Sequence, residues 1–160
     1  MMDAEPPGGL NHVDEHGRAR MVDVGEKPVT RRRAVAEGRV RVSAELAGLI
    51  AANAVAKGNL LEVARLAGIQ AAKQTDSLIP LCHSLPLDFI NVEAWLAESH
   101  VRLRAEVTCA GKTGVEMEAL TAVSVAALTV IDMGKAVDRA MVIEEIRLIE
   151  KTGGQHRIGA

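Results

Sequence analysis

The sequence predicts an α+β fold in which helices cover one side of an antiparallel sheet. Four segments alternate apolar and polar residues, as half-buried strands do. Three segments instead carry apolar residues at helical spacing, and two of these follow a residue that can cap a helix. The elements occur in the order β-α-α-β-β-α-β, and 160 residues are enough for one domain with its own core.

The chain first predicts one strand and one helix. Residues 34–42 place small apolar side chains on one face and charged side chains on the other, which indicates a half-buried strand. Ser43 offers a hydroxyl to the free amides of a following helix over residues 43–56. We expect this helix to stop before Gly58, because glycine commonly follows the last helical turn.

The middle of the chain predicts a second helix, a loop and a hairpin. Asn59 can cap a helix over residues 60–73, where alanine and leucine predominate. Residues 75–86 contain two prolines and no apolar period, so they are predicted to form a loop. Residues 89–97 and 101–109 both alternate and are joined by a short polar turn, which predicts a β-hairpin.

The end of the chain predicts the longest helix and the last strand. An apolar stripe at helical spacing runs from residue 115 to about residue 139, after a glycine-rich turn. Residues 141–151 then read as a fourth strand. The complete order predicts a ferredoxin-like sandwich, in which helices cover one face of an antiparallel sheet.

Composition and charge exclude several classes of function. Phe89 and Trp95 are the only aromatic residues, so the chain lacks platforms on which nucleic-acid bases could stack. The 19 basic and 21 acidic residues give a net charge of −2, which provides no general attraction for DNA or RNA. The longest stretch without charged residues, 119–131, is shorter than the ~20 residues of a membrane span. We therefore expect neither a nucleic-acid nor a membrane partner.

The first residues and the cysteines bear on organisation and compartment. Residues 1–20 are polar and rich in proline and glycine, so they are predicted to form a flexible arm before a single domain over residues 21–160. They contain no apolar core of a secretory signal. Cys82 and Cys109 are far apart in the chain, which favours reduced thiols over a disulfide or zinc site. We expect a cytoplasmic protein without a metal site.

Three short motifs are ambiguous when each is taken alone. Gly111-Lys112-Thr113 lacks the upstream glycine of a phosphate-binding P-loop and reads as a turn before a helix, whose free amides can still attract an anion. Cys82-His83 could contact a base or a phosphate, but a loop histidine is more often structural or merely exposed. Arg31-Arg32-Arg33 could bind a polyphosphate, although a solvated charged run is the simpler interpretation.

The long helix gives a stronger indication of a functional site than these short motifs do. Asp132 and Lys135 share a face, as a surface ion pair or as an acid–base pair, and geometry alone favours the surface pair. Glu116 and Glu118 point to different sides of a regular helix, so one pocket could use both only if the helix starts later or a second subunit contributes. Glu118 and Asp132 are separated by ~21 Å along the axis. A compact pocket that uses both would most simply draw them from two chains, which predicts a homo-oligomer.

Three segments of the chain form a specific pattern: MVDVGEKPVTRRRAVAEG, KGNLLEVARLAGIQAAKQTDSLIPLCHSLPL and GKTGVEMEALTAVSVAALTVIDMGKAVDR. They closely resemble the cyclic pyranopterin monophosphate synthases, the protein C family of molybdenum cofactor biosynthesis. The resemblance extends over roughly residues 10–154. It implies ferredoxin-like subunits in a homohexamer, a trimer of dimers, with active sites at a subunit interface. It also implies a lyase that converts 3′,8-cyclo-7,8-dihydroguanosine 5′-triphosphate into cyclic pyranopterin monophosphate and diphosphate.

The resemblance also assigns roles to residues of this chain. The catalytic aspartate corresponds to Asp132, and the two functional lysines correspond to Lys57 and Lys135. The implied substrate-binding positions are Leu81, Cys82, His83, Met117, Glu118, Glu116, Lys73, Lys27 and Arg32. No cofactor is implied, although magnesium could accompany the triphosphate.

These residue types suit the implied chemistry. We hypothesise that Lys57 and Lys135 act as general acid and base, with Asp132 tuning Lys135, because rebuilding guanine into a pterin moves protons several times. Lys73 and Arg32 could stabilise the departing diphosphate, and His83 could orient the base or a phosphate. Two alternatives remain: a ligand-binding regulatory module without chemistry, and a phosphohydrolase, which would need a metal site that the sequence does not suggest.

Overall fold

The computed structural model describes residues 12–154 and 156–159. Four strands and four helices occur in these residues: β1 (Thr30–Arg41), α1 (Ala44–Ala51), α2 (Leu60–Lys73), α3 (Thr75–Leu78), β2 (Leu87–Ala97), β3 (His100–Gly111), α4 (Glu116–Gly134) and β4 (Val142–Thr152). The predicted arm falls partly on residues 1–11, which lie outside the described residues. Residues 12–20 make a tight turn with a β-bridge between Val13 and Ala19.

The strands form one antiparallel sheet in the order β2-β3-β1-β4. Central strands β1 and β3 pair along their full lengths, from Thr30 opposite Gly111 to Arg41 opposite His100. Helix α4 packs on β1 and β3, and α2 packs on α4 and β2. The predicted α+β class, with helices against an antiparallel sheet, is confirmed.

Both predicted helix caps are present. Ser43 Oγ accepts a hydrogen bond from the Leu46 amide at 3.1 Å. Asn59 Oδ1 accepts one from the Glu62 amide at 3.1 Å, and α2 has the predicted bounds. The prediction for the end of α1 was wrong, because the helix stops at Ala51 rather than near Gly58. Asn53 takes a left-handed conformation (φ 50°), which asparagine tolerates better than most residues.

Strand β1 begins four residues before the predicted start. The arginine run therefore lies within the sheet, and the interpretation of it as a solvated charged run was wrong for two members. Arg32 is only 7% exposed, and its Nε donates to the Gly111 carbonyl oxygen. Arg33 pairs with Glu106 at 2.8 Å and also with Glu150. Pairing with β3 extends β1 towards its N-terminus. The sequence of this extension does not alternate apolar and polar residues, so it gave no signal of a strand.

Two other boundaries differ from the predictions. The segment predicted as a loop contains the one-turn helix α3. Helix α4 ends at Gly134 rather than near residue 139, because the following turn has its own hydrogen bonds. Asp138 is buried there and accepts from the Ser43 amide at 2.7 Å and the Ala140 amide at 2.9 Å. This carboxylate ties the end of α4 to the start of α1.

Helix α4 is the central helix of a core made of small aliphatic residues. By length and composition it could cross a membrane, but half of that apolar window is buried inside the protein. Ten of its residues are buried, including Ala119, Ala122, Ala126 and Val130. Small side chains let neighbouring elements approach closely, since a Cβ at Gly68 of α2 would lie 3.0 Å from the Ala122 carbonyl oxygen.

Gly38 is expected to be essential for packing α4 against β1. A Cβ at this position would lie 2.7 Å from Val123 Cγ1 and 2.9 Å from the Glu145 carbonyl oxygen. Gly38→Ala should therefore lower the free energy of unfolding by about 1–3 kcal/mol, measured by urea denaturation. Gly48→Ala in α1 is the control, because nothing lies within 4 Å of its added methyl group. It should be neutral or stabilising by about 0.5–1 kcal/mol, and an equal loss in both variants would contradict the packing argument.

Candidate active site

The predicted site residues form two groups at opposite ends of α4. Nine of them surround the first turn of this helix, where three neighbouring cavities lie: Leu81, Cys82, His83, Met117, Glu118, Glu116, Lys73, Lys27 and Arg32. The other three lie at the last turn, where Lys57 and Lys135 each contact Asp132. The separation of 14 positions between Glu118 and Asp132 corresponds to ~21 Å along the helix, so the two groups, here called half-sites, lie far apart in one chain.

The largest cavity at the first turn, here called the loop cavity, has a volume of about 540 Å³. Its walls come from residues 22–27, the loop 81–85 and residues 113–118, together with His12. Both Glu116 and Glu118 line it, although they are two residues apart. This is compatible with helical geometry because Glu116 is the first residue of α4 and so lies beside the preceding turn.

Two side chains hold the segment before β1 against this cavity. His83 Nε2 donates to the Val22 carbonyl oxygen at 2.7 Å, and Lys112 Nζ donates to the Gly25 carbonyl oxygen at 2.7 Å. The first bond places a proton on His83 Nε2 and leaves Nδ1 available to a ligand. The second fixes the turn that carries Lys27 to the cavity wall.

Glu118 is the most perturbed carboxyl of the loop cavity. Its residue is 4% exposed, and this burial raises the pKa of its carboxyl to about 7, with Glu116 and Asp76 contributing in the same direction. Burial also raises the pKa of the Cys82 thiol, again with nearby carboxylates acting in that direction. Cys82 is therefore a neutral thiol at physiological pH and a poor nucleophile.

A second cavity, here called the basic cavity, adjoins the loop cavity and shares Lys27 and Glu116 with it. It has a volume of about 400 Å³ and five basic side chains: Lys27, Arg32, Lys112, Lys151 and His156. One acidic side chain, Glu116, also lines it and pairs with Lys151. The excess of positive charge suits an anionic ligand.

The walls of the basic cavity leave room and donors for such a ligand. Thr30 Oγ1 lies buried there with no hydrogen-bond partner among the described residues. Gly153 and Gly154 also line this cavity, in left-handed conformations. A Cβ at Gly154 would overlap Arg32 Nη1, so glycine at this position makes space for the guanidinium.

Lys73 lies at the end of α2 and lines a third cavity. Asp76, His83 and Glu118 line the same cavity. Because His83 and Glu118 also line the loop cavity, the two cavities meet at these side chains. Lys73 is exposed at the rim, where a phosphate could reach it from solvent.

The second half-site consists of two lysines that flank one carboxylate. Lys135 Nζ lies 2.9 Å from Asp132 Oδ1, and Lys57 Nζ lies 3.4 Å from Oδ2. Lys57 Nζ also donates to the Asp132 carbonyl oxygen at 2.9 Å. Hydrogen bonding to Lys135, with a further contribution from Lys57, lowers the pKa of the Asp132 carboxyl, so Asp132 is ionised at physiological pH.

Local structure brings these groups together. Gly58 turns the chain with φ 111° directly after Lys57. At the end of α4, the Asp138 bonds described above hold the turn that follows Lys135. Both lysines line a cavity of about 430 Å³ with Arg139, which adds a third cation. The arrangement places two amines, a residue type that can donate or accept protons, against one carboxylate.

Comparison with known proteins identifies the family. Residues 21–154 match the model of the MoaC family. The chain belongs to the MoaC family.

MoaC relatives match this chain over most of its length. A cyclic pyranopterin monophosphate synthase from Herpetosiphon aurantiacus is 56% identical over 147 residues, which are 91% of this chain and 90% of that protein. One from a Nocardioides species is 56% identical and covers 95% of both chains. Molybdenum cofactor biosynthesis protein 1 of Drosophila melanogaster is 57% identical over 91% of this chain, which matches 26% of that longer protein.

Four basic side chains near the two half-sites of this MoaC chain were missed as site residues at the sequence level. They are Lys112, Arg139, Lys151 and His156. The Gly-Lys-Thr turn indicated an anion site but not that Lys112 faces it. Lys151 comes to the cavity through the pairing of β4 with β1, for which the sequence contains no local signal. In residues 12–154 and 156–159, no three His, Cys, Asp or Glu side chains are grouped closely enough to hold a metal ion.

Proposed function

We propose that this chain is a cyclic pyranopterin monophosphate synthase, an enzyme of molybdenum cofactor biosynthesis. It converts 3′,8-cyclo-7,8-dihydroguanosine 5′-triphosphate into cyclic pyranopterin monophosphate and diphosphate. The observation that carries this proposal is the 56–57% identity, over about nine-tenths of both chains, to proteins with that name. The geometry supports it, because two lysines flank one carboxylate and a separate cavity is lined by basic side chains.

In this proposal Lys57 and Lys135 transfer protons as the guanine ring opens and the pterin ring closes. Asp132 stays ionised, and its charge stabilises the ammonium form of each lysine. Asp132 also holds both nitrogens within 3.4 Å of its own oxygens, so one carboxylate positions the two lysines.

The triphosphate would occupy the basic cavity, with the base in the adjoining loop cavity. The cyclic phosphate forms when a ribose hydroxyl attacks the first phosphorus and the bond to diphosphate breaks. Arg32, Lys112 and Lys151 line the basic cavity and would stabilise the charge that develops on the leaving group. Lys73 lines the third cavity, beside the loop cavity, and would bind the substrate there. His83 would contact the substrate through Nδ1, since Nε2 already donates a hydrogen bond to the Val22 carbonyl oxygen.

The proposed active site is shared between two chains of a ferredoxin-like homohexamer. The strand order β2-β3-β1-β4 supports the ferredoxin-like topology. The ~21 Å between the half-sites of one chain supports an active site at the interface between two chains. A single nucleotide bound at one end of α4 would not reach the other end of the same helix. A two-fold axis would bring the last turn of α4 from one chain to the first turn of α4 from the other.

No cofactor is needed in this proposal, because the rearrangement exchanges protons and bonds without net oxidation. Magnesium would arrive with the triphosphate rather than on a site of the protein. The proposed compartment is the cytoplasm, which the two free thiols support.

The test of the proposed function is an anaerobic reaction of purified protein with freshly prepared cyclodihydroguanosine triphosphate. Diphosphate and the fluorescent oxidised pterin are measured together, and equal amounts are expected. Diphosphate without pterin would support the phosphohydrolase instead. Binding of the nucleotide without either product would support the regulatory module.

Gly154 is expected to matter for phosphate binding through Arg32. Gly154→Ala should displace the guanidinium and raise KM about tenfold or more, since a hydrogen bond to a charged group contributes about 1.5–3 kcal/mol. Gly17→Ala is the matched control, because Gly17 has a similar φ of 75° but no atom within 4 Å of the added methyl group. A similar KM in both variants would show that the position of the Arg32 guanidinium in phosphate binding does not depend on Gly154.

A further inference from the structure

Glu118 occupies a position where burial makes ionisation of a carboxyl group energetically unfavourable. It lies in the first turn of α4, 4% exposed, at the point where the loop cavity meets the cavity of Lys73. Its side chain has no ion pair among the described residues. Burial without a cationic partner favours the neutral acid.

The groups around Glu118 reinforce this preference. The titratable side chains that share its cavities or act on its charge are Glu116, Asp76, Lys73, Lys27, Cys82, Cys109, His83 and His12. Glu116 and Asp76 repel a negative charge on Glu118, and Glu116 already pairs with Lys151. Lys73 and Lys27 are exposed rather than buried against the carboxyl. The backbone amide of Glu118 opposes the effect only in part, and the net pKa is about 7.

The two half-sites therefore hold carboxyl groups in opposite states. Asp132 is exposed between two lysines and stays ionised, whereas Glu118 is buried among acids and stays protonated up to about pH 7. Two carboxyl groups whose environments separate their pKa values commonly divide the acid and base roles of an enzyme.

We propose that Glu118 is a neutral carboxylic acid in the free protein and donates its proton to a ring nitrogen of the bound substrate. This proposal rests on the proposed function and gives Glu118 a catalytic role beyond binding. When a carbon–nitrogen bond of the five-membered ring breaks, its electron pair stays on the departing nitrogen, and the lone pair of the other ring nitrogen on that carbon forms a C=N bond. The departing nitrogen takes the proton from Glu118, which becomes a carboxylate. The carboxylate regains a proton from an N–H group when the pterin ring closes.

The pH dependence follows from the direction of proton transfer. An acid must carry its proton to act, so the step driven by Glu118 is fully active well below pH 7 and declines as pH rises through about 7. Glu118→Gln keeps the size of the side chain and a hydrogen-bond donor but has no proton to give. Its kcat should fall by about 10²–10⁴-fold, with KM little changed, and the decline near pH 7 should disappear from the residual activity.

The matched control is Glu45→Gln. Glu45 also lies in the first turn of a helix, but it is exposed and outside all the cavities described. We expect wild-type kcat, KM and pH profile for this variant.

Infrared difference spectra between pH 6 and pH 8 test the protonation state without substrate. The wild type and Glu45→Gln should lose a protonated-carboxyl carbonyl band as pH rises, and Glu118→Gln should lack that band. The proposal is overturned if the band is absent from the wild type, persists in Glu118→Gln, or if Glu118→Gln keeps kcat within threefold of the wild type. A wild type that makes neither product overturns the proposed function, while the infrared band still decides the state of Glu118.

Discussion

Replacing Asp132 with asparagine is expected to lower kcat by about 10³-fold while KM changes little. One Asp132 oxygen lies 2.9 Å from Lys135 Nζ and the other lies 3.4 Å from Lys57 Nζ. Asparagine keeps the shape but removes the charge that stabilises a protonated lysine. The proton shuttle should therefore fail even though substrate still binds, and release of diphosphate and pterin measures the loss.

The control for Asp132 is a second ion pair with the same spacing. Glu62 and Arg65 are also three residues apart on a helix and 2.7 Å from each other, but they lie outside all the cavities described. Glu62→Gln should leave activity unchanged and alter stability by no more than about 0.5 kcal/mol. If Asp132→Asn leaves activity unchanged as Glu62→Gln does, Asp132 and Lys135 form only a surface ion pair. Sequence geometry by itself favoured that interpretation.

Mixing two inactive variants is expected to restore about a quarter of wild-type activity. His83→Ala disables the half-site at the first turn of α4, and Lys135→Ala disables the one at the last turn. If each active site takes one half-site from each of two chains, a mixed pair contains one intact site and one doubly damaged site. Random exchange makes half of the pairs mixed, and each mixed pair keeps one of its two sites.

The experiment unfolds the two variants together, refolds them and measures pterin formation. Asp132→Asn mixed with Lys135→Ala is the control, because both changes affect the same half-site and no pairing can repair it. Native mass spectrometry confirms that mixed oligomers form. Mixed oligomers without recovered activity would contradict a shared site and require both half-sites to act within one chain.

The parts of the fold that depend on neighbouring residues were predictable. Ser43 and Asn59 cap the helices that follow them because capping needs only a side-chain oxygen and an amide a few residues later. The hairpin of β2 and β3 follows from alternation around a short turn. The separation of Glu118 from Asp132 follows from helix geometry alone, so the sequence already places these two carboxyl groups far apart along one helix.

The boundaries and several site residues depended on contacts between distant segments. The arginine run joined β1 because β3 pairs with it, and that pairing buried Arg32 beside the basic cavity. Lys151 reached the same cavity through β4, more than a hundred residues after Arg32 in the chain. Periodicity describes one element at a time and carries no information about which strand edges meet.

The sequence by itself determined the order of the four strands and the three longer helices, the helix caps and, through its resemblance to a known family, the residue types available for chemistry. Only the tertiary structure decided which residues share a cavity and in which ionisation state they do so. Glu118 and Asp132 are both carboxyl groups on one helix, yet one is buried among acids and the other is exposed between lysines. Ionisation depends on solvent exposure and neighbouring charge, and both are properties of the folded chain rather than of the residue.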